Sequence, residues 1–173
     1  KFLHLSPDTK VLDCGCGGGA NIKRLLKNCP QGIVEGIDYS EISVEKARKL
    51  NQRAIRDGRC AVCQGSVAQM DFADASFDVV TAFETVYFWQ DLPKCFQEVY
   101  RVLKPGGTFL ICNESKRGIQ TKTKKWTEYH WRHDHRIKIP KLKAYLEQAG
   151  FNDIQIHKTK SWLCMTGRKH HQH

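Results

Sequence analysis

The residues best suited to chemistry lie in a glycine-rich segment near the start of the chain. Residues 11–19 run Val-Leu-Asp-Cys-Gly-Cys-Gly-Gly-Gly, so glycines stand at 15, 17 and 19 and an acid, Asp13, precedes the first of them. A strand that ends in glycines before a helix brings backbone N–H groups against a ligand, because no Cβ stands in the way. The carboxylate of Asp13 would draw a cationic or ammonium-bearing group to the same place.

A second acid stands where a ribose could be bound. Asp38 ends another apolar run, 21 residues beyond Gly17, and an acid placed there can accept hydrogen bonds from both hydroxyls of a ribose. The glycine spacing differs from the Gly-x-Gly-x-x-Gly of dinucleotide sites. Together these residues predict a site for a nucleoside with little or no phosphate. Taken singly, the glycines are equally compatible with a tight turn, and Asp38 with a helix N-cap.

The elements that must hold these residues can be placed from the pattern of apolar residues. Runs rich in β-branched residues alternate with stretches of helical period, which predicts a parallel sheet built from βα units. The predicted strands are residues 10–14, 33–38, 61–64, 77–83 and 108–113, and the predicted helices are 20–28, 41–55, 92–103 and 140–149. Residues 153–157 and 161–166 are predicted to form a closing antiparallel hairpin.

Length and composition indicate a single soluble domain. The chain has 173 residues, 40% of them hydrophobic and 27% charged, which is ordinary for a globular protein with a sizeable core. No apolar run approaches the ~20 residues that span a bilayer, and no signal-peptide pattern opens the chain. We therefore expect a cytoplasmic protein with no membrane partner. Because the chain begins at Lys1, we also expect further residues to precede it in the natural protein.

The eight cysteines raise the question of disulfides, which are typical of short secreted scaffolds. Cys14, Cys112 and Cys164 fall instead in predicted strands, where a reduced cysteine acts as a small apolar residue. We therefore expect the cysteines to be reduced. Cys60 and Cys63 form a Cys-x-x-Cys pair, but a zinc site needs four ligands and no second pair is near, so no metal is predicted.

The net charge of +10 lies entirely in the last third of the chain. Residues 1–115 hold 14 Lys/Arg and 14 Asp/Glu, whereas residues 116–173 hold 14 basic and 4 acidic residues. Seven of the eight histidines lie there as well. Such asymmetry indicates an anionic partner or substrate. A solvated basic face explains it equally well.

Four motifs, in this order along the chain, make the sequence resemble the class I S-adenosylmethionine-dependent methyltransferases. They are Asp-x-Gly-x-Gly-Gly-Gly at 13–19, Gly-Ile-Asp-Tyr-Ser at 36–40, Phe-Asp-Val-Val at 77–80 and Leu-Lys-Pro-Gly-Gly at 103–107. Within that class the sequence is most similar to the branch typified by enzymes of ubiquinone and menaquinone biosynthesis. The resemblance is strong over about residues 8–113 and weaker over the closing helix and hairpin.

The resemblance implies a Rossmann-like α/β fold, in which a seven-stranded, mostly parallel sheet has the order 3-2-1-4-5-7-6 and helices on both faces. The chain length predicts one domain over 1–173. We divide it into a cofactor-binding half at 1–113, a lid or variable segment without clear periodicity at 114–139, and a closing helix and hairpin at 140–173. Family members usually have N-terminal helices that cover the cofactor. Only nine residues precede the first predicted strand, so we expect these helices to be missing from the sequence or supplied by another chain.

The cofactor that the resemblance implies is S-adenosylmethionine, with S-adenosylhomocysteine as the product after transfer. Asp13, Gly15 and Gly17 would hold its methionine half and Asp38 its ribose, while Tyr39 would lie beside its adenine.

Three further residues complete the implied cofactor site. Phe83 would face the methionine portion, and Ser66 and Val67 the adenine. The family usually has Gly-Asp-Ala where this chain has Gly-Ser-Val at 65–67, so a hydroxyl replaces the usual carboxylate. A serine hydroxyl can accept a hydrogen bond from the adenine amine, more weakly than a charged acceptor.

The residues beyond the fourth strand are predicted to face the methyl acceptor, since ligands of open α/β sheets bind outside the carboxyl ends of the strands. Residues 84–89 are rich in aromatics. The alternative is that Phe88 and Trp89 pack beneath the next helix. Glu84 and His130 are the candidates for a catalytic role.

The segment 126–135 has three interpretations. It could be a substrate lid with a histidine base, a solvent-facing basic loop or, through the histidines at 130, 133 and 135, a metal site. The last is disfavoured because no further ligand group is evident in the sequence.

The sequence as a whole predicts methyl transfer from S-adenosylmethionine to a small-molecule acceptor. Two alternatives stay open: an RNA methyltransferase that holds phosphates with the basic last third, and a non-catalytic, methyltransferase-like binding subunit. The sequence lacks Asn-Pro-Pro-Tyr and a Pro-Cys pair, which disfavours a nucleic-acid substrate. Neither the acceptor nor the oligomeric state can be predicted from it.

Overall fold

The computed structural model describes residues 3–114 and 138–171, so the predicted lid segment 114–139 lies outside it apart from its ends. The strands are β1 (Lys10–Cys14), β2 (Ile33–Asp38), β3 (Cys60–Gln64), β4 (Phe77–Phe83), β5 (Leu103–Glu114), β6 (Asn152–Lys158) and β7 (Trp162–Arg168). The helices are α1 (Ala20–Asn28), α2 (Glu41–Leu50), α3 (Gln52–Arg56), α4 (Leu92–Val102) and α5 (Ile139–Ala149), and Val86–Phe88 form a turn of 3-10 helix.

The strands make one seven-stranded sheet in the order β3-β2-β1-β4-β5-β7-β6. The first five strands along the chain pair in parallel, and β7 runs antiparallel to both β5 and β6. The predicted Rossmann-like order is therefore confirmed. β1 lies between β2 and β4 and is parallel to both, so the carboxyl ends of the three strands meet at one edge of the sheet. Asp13, Asp38 and Phe83 lie at or next to these strand ends and are therefore brought to the same edge.

Helices cover both faces of the sheet and form two apolar clusters. On one face, Phe96 of α4 meets Phe109 of β5 edge to face, with ring centroids 5.7 Å apart and both side chains fully buried. On the other, Ile22 of α1 and Val44 of α2 pack on Val34 of β2. Each such side chain contributes roughly 1.5–3 kcal/mol on burial. No helix in the described ranges is long and apolar enough to cross a membrane.

The predicted helix 41–55 is in fact two helices, because Asn51 leaves the helical conformation with φ −109° and ψ 19°. Its side chain is buried and its Nδ2 donates to the carbonyl of Ala47 at 3.0 Å and to that of Gly19 at 3.1 Å. The break therefore places an amide that fastens α2 to the end of the glycine-rich loop. A tertiary contact of this kind leaves no trace in helical periodicity.

The expectation that all eight cysteines are reduced is wrong for two of them. Cys112 on β5 stands directly opposite Cys164 on β7, and the two form a disulfide. The antiparallel register decides this pairing, and the sequence alone could not supply it. The expectation holds for Cys14 and the other five cysteines, all of them free thiols.

We expect the disulfide to contribute roughly 2–4 kcal/mol to the free energy of unfolding, since it closes a loop between cysteines 52 residues apart and so restricts the unfolded chain. Dithiothreitol added to the wild-type protein should lower the denaturation midpoint as much as replacing Cys112 and Cys164 with alanine. Cys60→Ala, at a buried free thiol, should leave the response to reductant unchanged. A double variant that still loses stability on reduction would contradict this assignment.

Candidate functional site

The glycine-rich loop folds back onto the end of β2. The N–H groups of Gly15 and Cys16 donate to the carbonyl of Ile37 at 2.8 and 3.1 Å, and the N–H of Gly17 donates to Oδ2 of Asp38 at 2.9 Å. The expectation that these N–H groups face a ligand is therefore wrong, because the protein itself uses them.

The three alternate glycines of the loop are required for different reasons. A Cβ at Gly15 would collide with the hydroxyl of Thr85, and a Cβ at Gly19 would lie 2.7 Å from Nδ2 of Asn51. Gly17 also has a left-handed backbone, with φ +52°, but a Cβ there would meet nothing within 4 Å. The first and third glycines thus serve packing within the protein, whereas the middle one borders open space at the carboxyl edge of the sheet.

Asp38 is held where a ribose site was predicted. Its carboxylate accepts from the N–H of Gly17 through Oδ2 and from the N–H of Ser40 through Oδ1, both at 2.9 Å. The side chain is 9% exposed. A carboxylate has about four lone-pair positions, so each oxygen can accept one further hydrogen bond. Ser40, and not Asp38, is the N-cap of α2, through a bond from the N–H of Ser43 at 3.3 Å.

Asp13 lies buried beneath the same loop. It is 1% exposed, and the hydroxyl of Thr81 donates to its Oδ1 at 2.7 Å. Burial raises the pKa of this carboxyl to about 7; the bond from Thr81 lowers it in part, and the charge of Asp38 adds to the rise. Among the residues that the structure describes, no lysine or arginine forms an ion pair with Asp13 or Asp38. The site is therefore acidic and short of positive charge.

The residues assigned to the adenine side differ in what they expose. Tyr39 is 77% exposed, so its ring is available to stack on a base. Ser66 is exposed too, and its hydroxyl accepts from the N–H of Ala68 at 3.2 Å. The side chain of Val67 is buried in the core, so a contact between Val67 and a ligand would have to come from its backbone.

The acceptor side begins where β4 ends. Phe83 is half-buried and packs against Leu110 and Cys112. Glu84 follows with a left-handed backbone, φ +53°. Its carboxylate accepts from the hydroxyl of Tyr87 at 2.9 Å and from the N–H of Glu114. Burial, with the hydrogen bond to Glu84, raises the pKa of Tyr87, so this hydroxyl stays protonated and acts as a donor.

The next residues connect the acceptor side to the glycine loop. The indole N–H of Trp89 donates to the hydroxyl of Thr85 at 3.1 Å, and that hydroxyl packs over Gly15. Trp89 also meets Phe96 edge to face, whereas Phe88 is 55% exposed. The two interpretations of this stretch thus divide between neighbouring residues: Trp89 packs on the core and Phe88 faces outward.

The predicted site residues do not include Thr81, although its hydroxyl contacts Asp13. Thr85 falls within the stretch 84–89 that is predicted to face the acceptor, but its packing over Gly15 was not predicted. Thr81 had a detectable signal, because it is the one hydroxyl within the strand Val79–Phe83 and lies opposite Asp13 in the sheet register. The packing of Thr85 had none. His130, the other catalytic candidate, lies outside the described residues, and within those residues no group of three or more His, Cys, Asp or Glu could hold a metal ion.

A separate cleft of about 380 Å³ lies at the other edge of the sheet, beside Arg168, Lys169 and His170. The ammonium of Lys169 donates to the carbonyls of Tyr100 at 2.8 Å and Leu103 at 2.7 Å. It thereby satisfies carbonyls at the end of α4. This cleft is far from the glycine loop along the strands, and its lysine serves the fold.

Comparison with known proteins gives a family match over most of the chain. Residues 5–150 match the family described as a methyltransferase domain. The chain belongs to this family. The match covers both buried acids, the glycine loop and the acceptor side, so the class I methyltransferase resemblance is confirmed for the part of the chain that holds the candidate site.

Among curated proteins, this methyltransferase domain is 37% identical over 109 residues to 24-methylenesterol C-methyltransferase 2 of Oryza sativa subsp. japonica, covering 63% of the chain and 30% of the relative. Squalene methyltransferase 1 of Botryococcus braunii is 37% identical over 108 residues, covering 62% of the chain and 28% of the relative. The chain thus spans about a third of the length of the curated relatives it matches.

Among solved structures, a SAM dependent methyltransferase from Aquifex aeolicus has a TM-score of 0.80 at 19% identity, covering 96% of this chain and 85% of that one. At this level of identity the likeness shows that the methyltransferase domain shares the fold.

The buried acid Asp13 should make the stability of the domain depend on pH. An acid whose pKa is higher in the folded than in the unfolded chain contributes stability at low pH, and that contribution is lost as the pH rises through its folded pKa of about 7. Between pH 5 and 8 we expect a loss on the order of 2 kcal/mol. Asp13→Asn cannot ionise and should remove this loss, as measured by denaturant unfolding across the pH range.

The exposed acid Asp8 provides the control, and Asp8→Asn should keep the pH dependence of the wild type. If Asp13→Asn and the wild type lose stability equally between pH 5 and 8, Asp13 is already ionised in the free protein.

Proposed function

We propose that this domain binds S-adenosylmethionine at the glycine loop and transfers its methyl group to a small-molecule acceptor. The observation that carries the proposal is the pair of buried acids, Asp13 and Asp38, which within the described ranges have no cationic partner and lie beside a loop open at Gly17. Such a site suits a nucleoside that brings positive charge and no phosphate. S-adenosylmethionine has this chemistry, through its sulfonium and ammonium groups.

The chain's own residues divide the binding among themselves. Asp13 would accept a hydrogen bond from the ammonium group of the methionine half. The positive charge of that group would favour loss of the proton from the Asp13 carboxyl. Asp38 would accept the ribose hydroxyls with the lone pairs that Gly17 and Ser40 leave free. Tyr39 would cover one face of the adenine. When bound, S-adenosylmethionine supplies a methyl group activated by its sulfonium, and S-adenosylhomocysteine remains after transfer.

The relatives support a small-molecule acceptor, since the two named above are a sterol and a squalene methyltransferase. They cover less than two thirds of this chain and much less of their own length, so the acceptor of this domain is part of the proposal. The finer assignment to the ubiquinone and menaquinone branch stays a prediction, which neither relative supports.

The acceptor would lie against residues 84–89. Methyl transfer needs in-line positioning and, for many acceptors, removal of one proton. Glu84 is suited to take that proton, because its carboxylate stands at the carboxyl edge of the sheet and Tyr87 orients it from 2.9 Å. His130 stays the second candidate, in the part of the chain that the structure leaves undescribed.

A nucleic-acid partner was the alternative that the basic last third suggested. Much of that charge lies in residues 115–137, outside the described ranges, and no contact within those ranges favours RNA. Methyl transfer to RNA is therefore tested directly in the transfer experiment below.

Two neighbouring glycines provide a matched test of the binding site. Gly17→Ala places a methyl group in the open space beside Asp38 and a side chain on a left-handed backbone, which costs roughly 1–2 kcal/mol. Gly18→Ala places a methyl group 4.0 Å from Lys46 on a backbone outside the left-handed region. By calorimetry, Gly17→Ala should bind S-adenosylhomocysteine at least about tenfold more weakly, and Gly18→Ala should match the wild type.

Thermal unfolding of both variants separates binding from folding. A Gly17→Ala protein that keeps its affinity would show that the ligand lies elsewhere, and equal losses in both variants would show that the loop is merely sensitive to added bulk.

Transfer itself is tested with methyl-labelled S-adenosylmethionine and two acceptor pools, a small-molecule extract and total RNA. Label should move into the small-molecule pool. Glu84→Gln keeps an acceptor for Tyr87 but cannot take a proton, so it should slow transfer by ~10²-fold and leave the affinity for S-adenosylhomocysteine unchanged. Glu45→Gln, on the exposed face of α2, is the control. Label in RNA would overturn the small-molecule acceptor, and tight binding without transfer would favour a binding subunit.

A further inference from the structure

The loop between β3 and β4 is fastened by one ion pair on α4. Arg101 and Glu98 face each other there through two bonds, Nε to Oε1 at 2.8 Å and Nη2 to Oε2 at 3.0 Å. Both polar backbone groups of Met70 are bonded to this pair: its N–H donates to Oε2 of Glu98 at 2.8 Å, and its carbonyl accepts from Nη2 of Arg101 at 3.0 Å. The ion pair thus holds the loop at one residue from two sides.

The guanidinium of Arg101 also reaches further along the loop. Its Nη1 donates to the carbonyl of Phe72 and to Oδ1 of Asp74, each at 2.7 Å. The five N–H donors of an arginine are therefore matched by five hydrogen bonds, two to Glu98 and three to the loop. A planar group bonded in this way fixes direction as well as distance, which a lysine cannot do.

The fastened residue comes directly after the turn that holds Ser66 and Val67. Within that turn the N–H of Gln69 donates to the carbonyl of Ser66 at 3.2 Å, and the N–H of Ala68 donates to its hydroxyl at 3.2 Å. The side chains of Val67 and Met70 are both buried in the core below. The turn is therefore a closed unit with one buried anchor inside it and another, Met70, at its exit.

We propose that Glu98 and Arg101 are positioning residues for adenine recognition, which hold the turn at Ser66 and Val67 where it meets the edge of the base. The inference rests on the proposed function, since it takes S-adenosylmethionine as the ligand. Neither residue touches the cofactor. Both act through Met70 and the turn. Their loss would therefore weaken the preference for adenine over other bases, while the ribose and methionine contacts made by Asp38 and Asp13 persist.

A partly exposed ion pair that does not contact the β3–β4 loop would not change the preference for adenine. The side chains of Arg101 and Glu98 are 30% and 20% exposed, and pairs of this kind are worth about 0–1 kcal/mol to stability. Lys104 and Asp78 form a comparable pair nearby, 2.8 Å apart and 43% and 40% exposed, which makes no contact with the β3–β4 loop in the described structure. The Lys104–Asp78 pair therefore serves as the control for an ion pair that does not hold that loop.

The experiment compares S-adenosylhomocysteine with S-inosylhomocysteine, in which a carbonyl replaces the adenine amine. Calorimetry at low temperature, well below unfolding, gives the ratio of the two affinities. We expect the wild type to prefer S-adenosylhomocysteine by roughly tenfold or more. Arg101→Lys should bring that ratio most of the way to one, and Glu98→Gln, which keeps an acceptor for Met70, should fall between them. Lys104→Met should leave the ratio unchanged.

The outcomes separate the inference from the function beneath it. A wild type that binds neither ligand overturns the proposed function. A wild type that binds both equally, or variants at Arg101 and Lys104 that lose affinity without any change in ratio, overturns the positioning role. Should Arg101→Lys fail to fold, Glu98→Gln decides the question by the same ratio.

Discussion

The candidate site depends on the way the end of β2 receives the glycine loop. Ile37 and Asp38 together accept the N–H groups of Gly15, Cys16 and Gly17, three successive donors, at 2.8 to 3.1 Å. A loop tied in this way cannot shift without exposing unpaired buried donors, which is costly. The same bonds hold the carboxylate of Asp38 beside Gly17.

Some of the partly buried acids of this domain have cationic partners: Asp78 has Lys104 at 2.8 Å, and Glu98 has Arg101 at 2.8 Å. Asp13 is more deeply buried than either, and among the described residues its side-chain partner is the hydroxyl of Thr81. A buried acid without a partner costs stability in the free protein, and such groups concentrate at functional sites. In the proposed function, the missing positive charge arrives with the ligand.

Local pattern was enough to locate the strands, because β1, β2 and β4 occupy the predicted residues, whereas the order of the strands was implied by the family resemblance. What could not be predicted depends on contacts between distant segments. Asn51 breaks a helix in order to reach Gly19, and Thr85 packs over Gly15 across 70 residues of chain. The loop donors were assigned to a ligand because their acceptor, the carbonyl of Ile37, belongs to another strand. Asp38 could be proposed as a site residue because that assignment depends on its position at the end of one strand.

The bond between Cys112 and Cys164 turns part of the chain into a covalent ring. Every peptide bond between these two residues, including those leading into and out of α5 and β6, lies within that ring. A protease that cuts once inside it would open the ring without releasing a fragment. The nicked protein would remain one covalent molecule, heavier by one water, and would separate into two pieces only after the disulfide is reduced. A cut before β5 lies outside the ring. A single cut there would leave the segment that holds the glycine loop without a covalent bond to the rest of the chain.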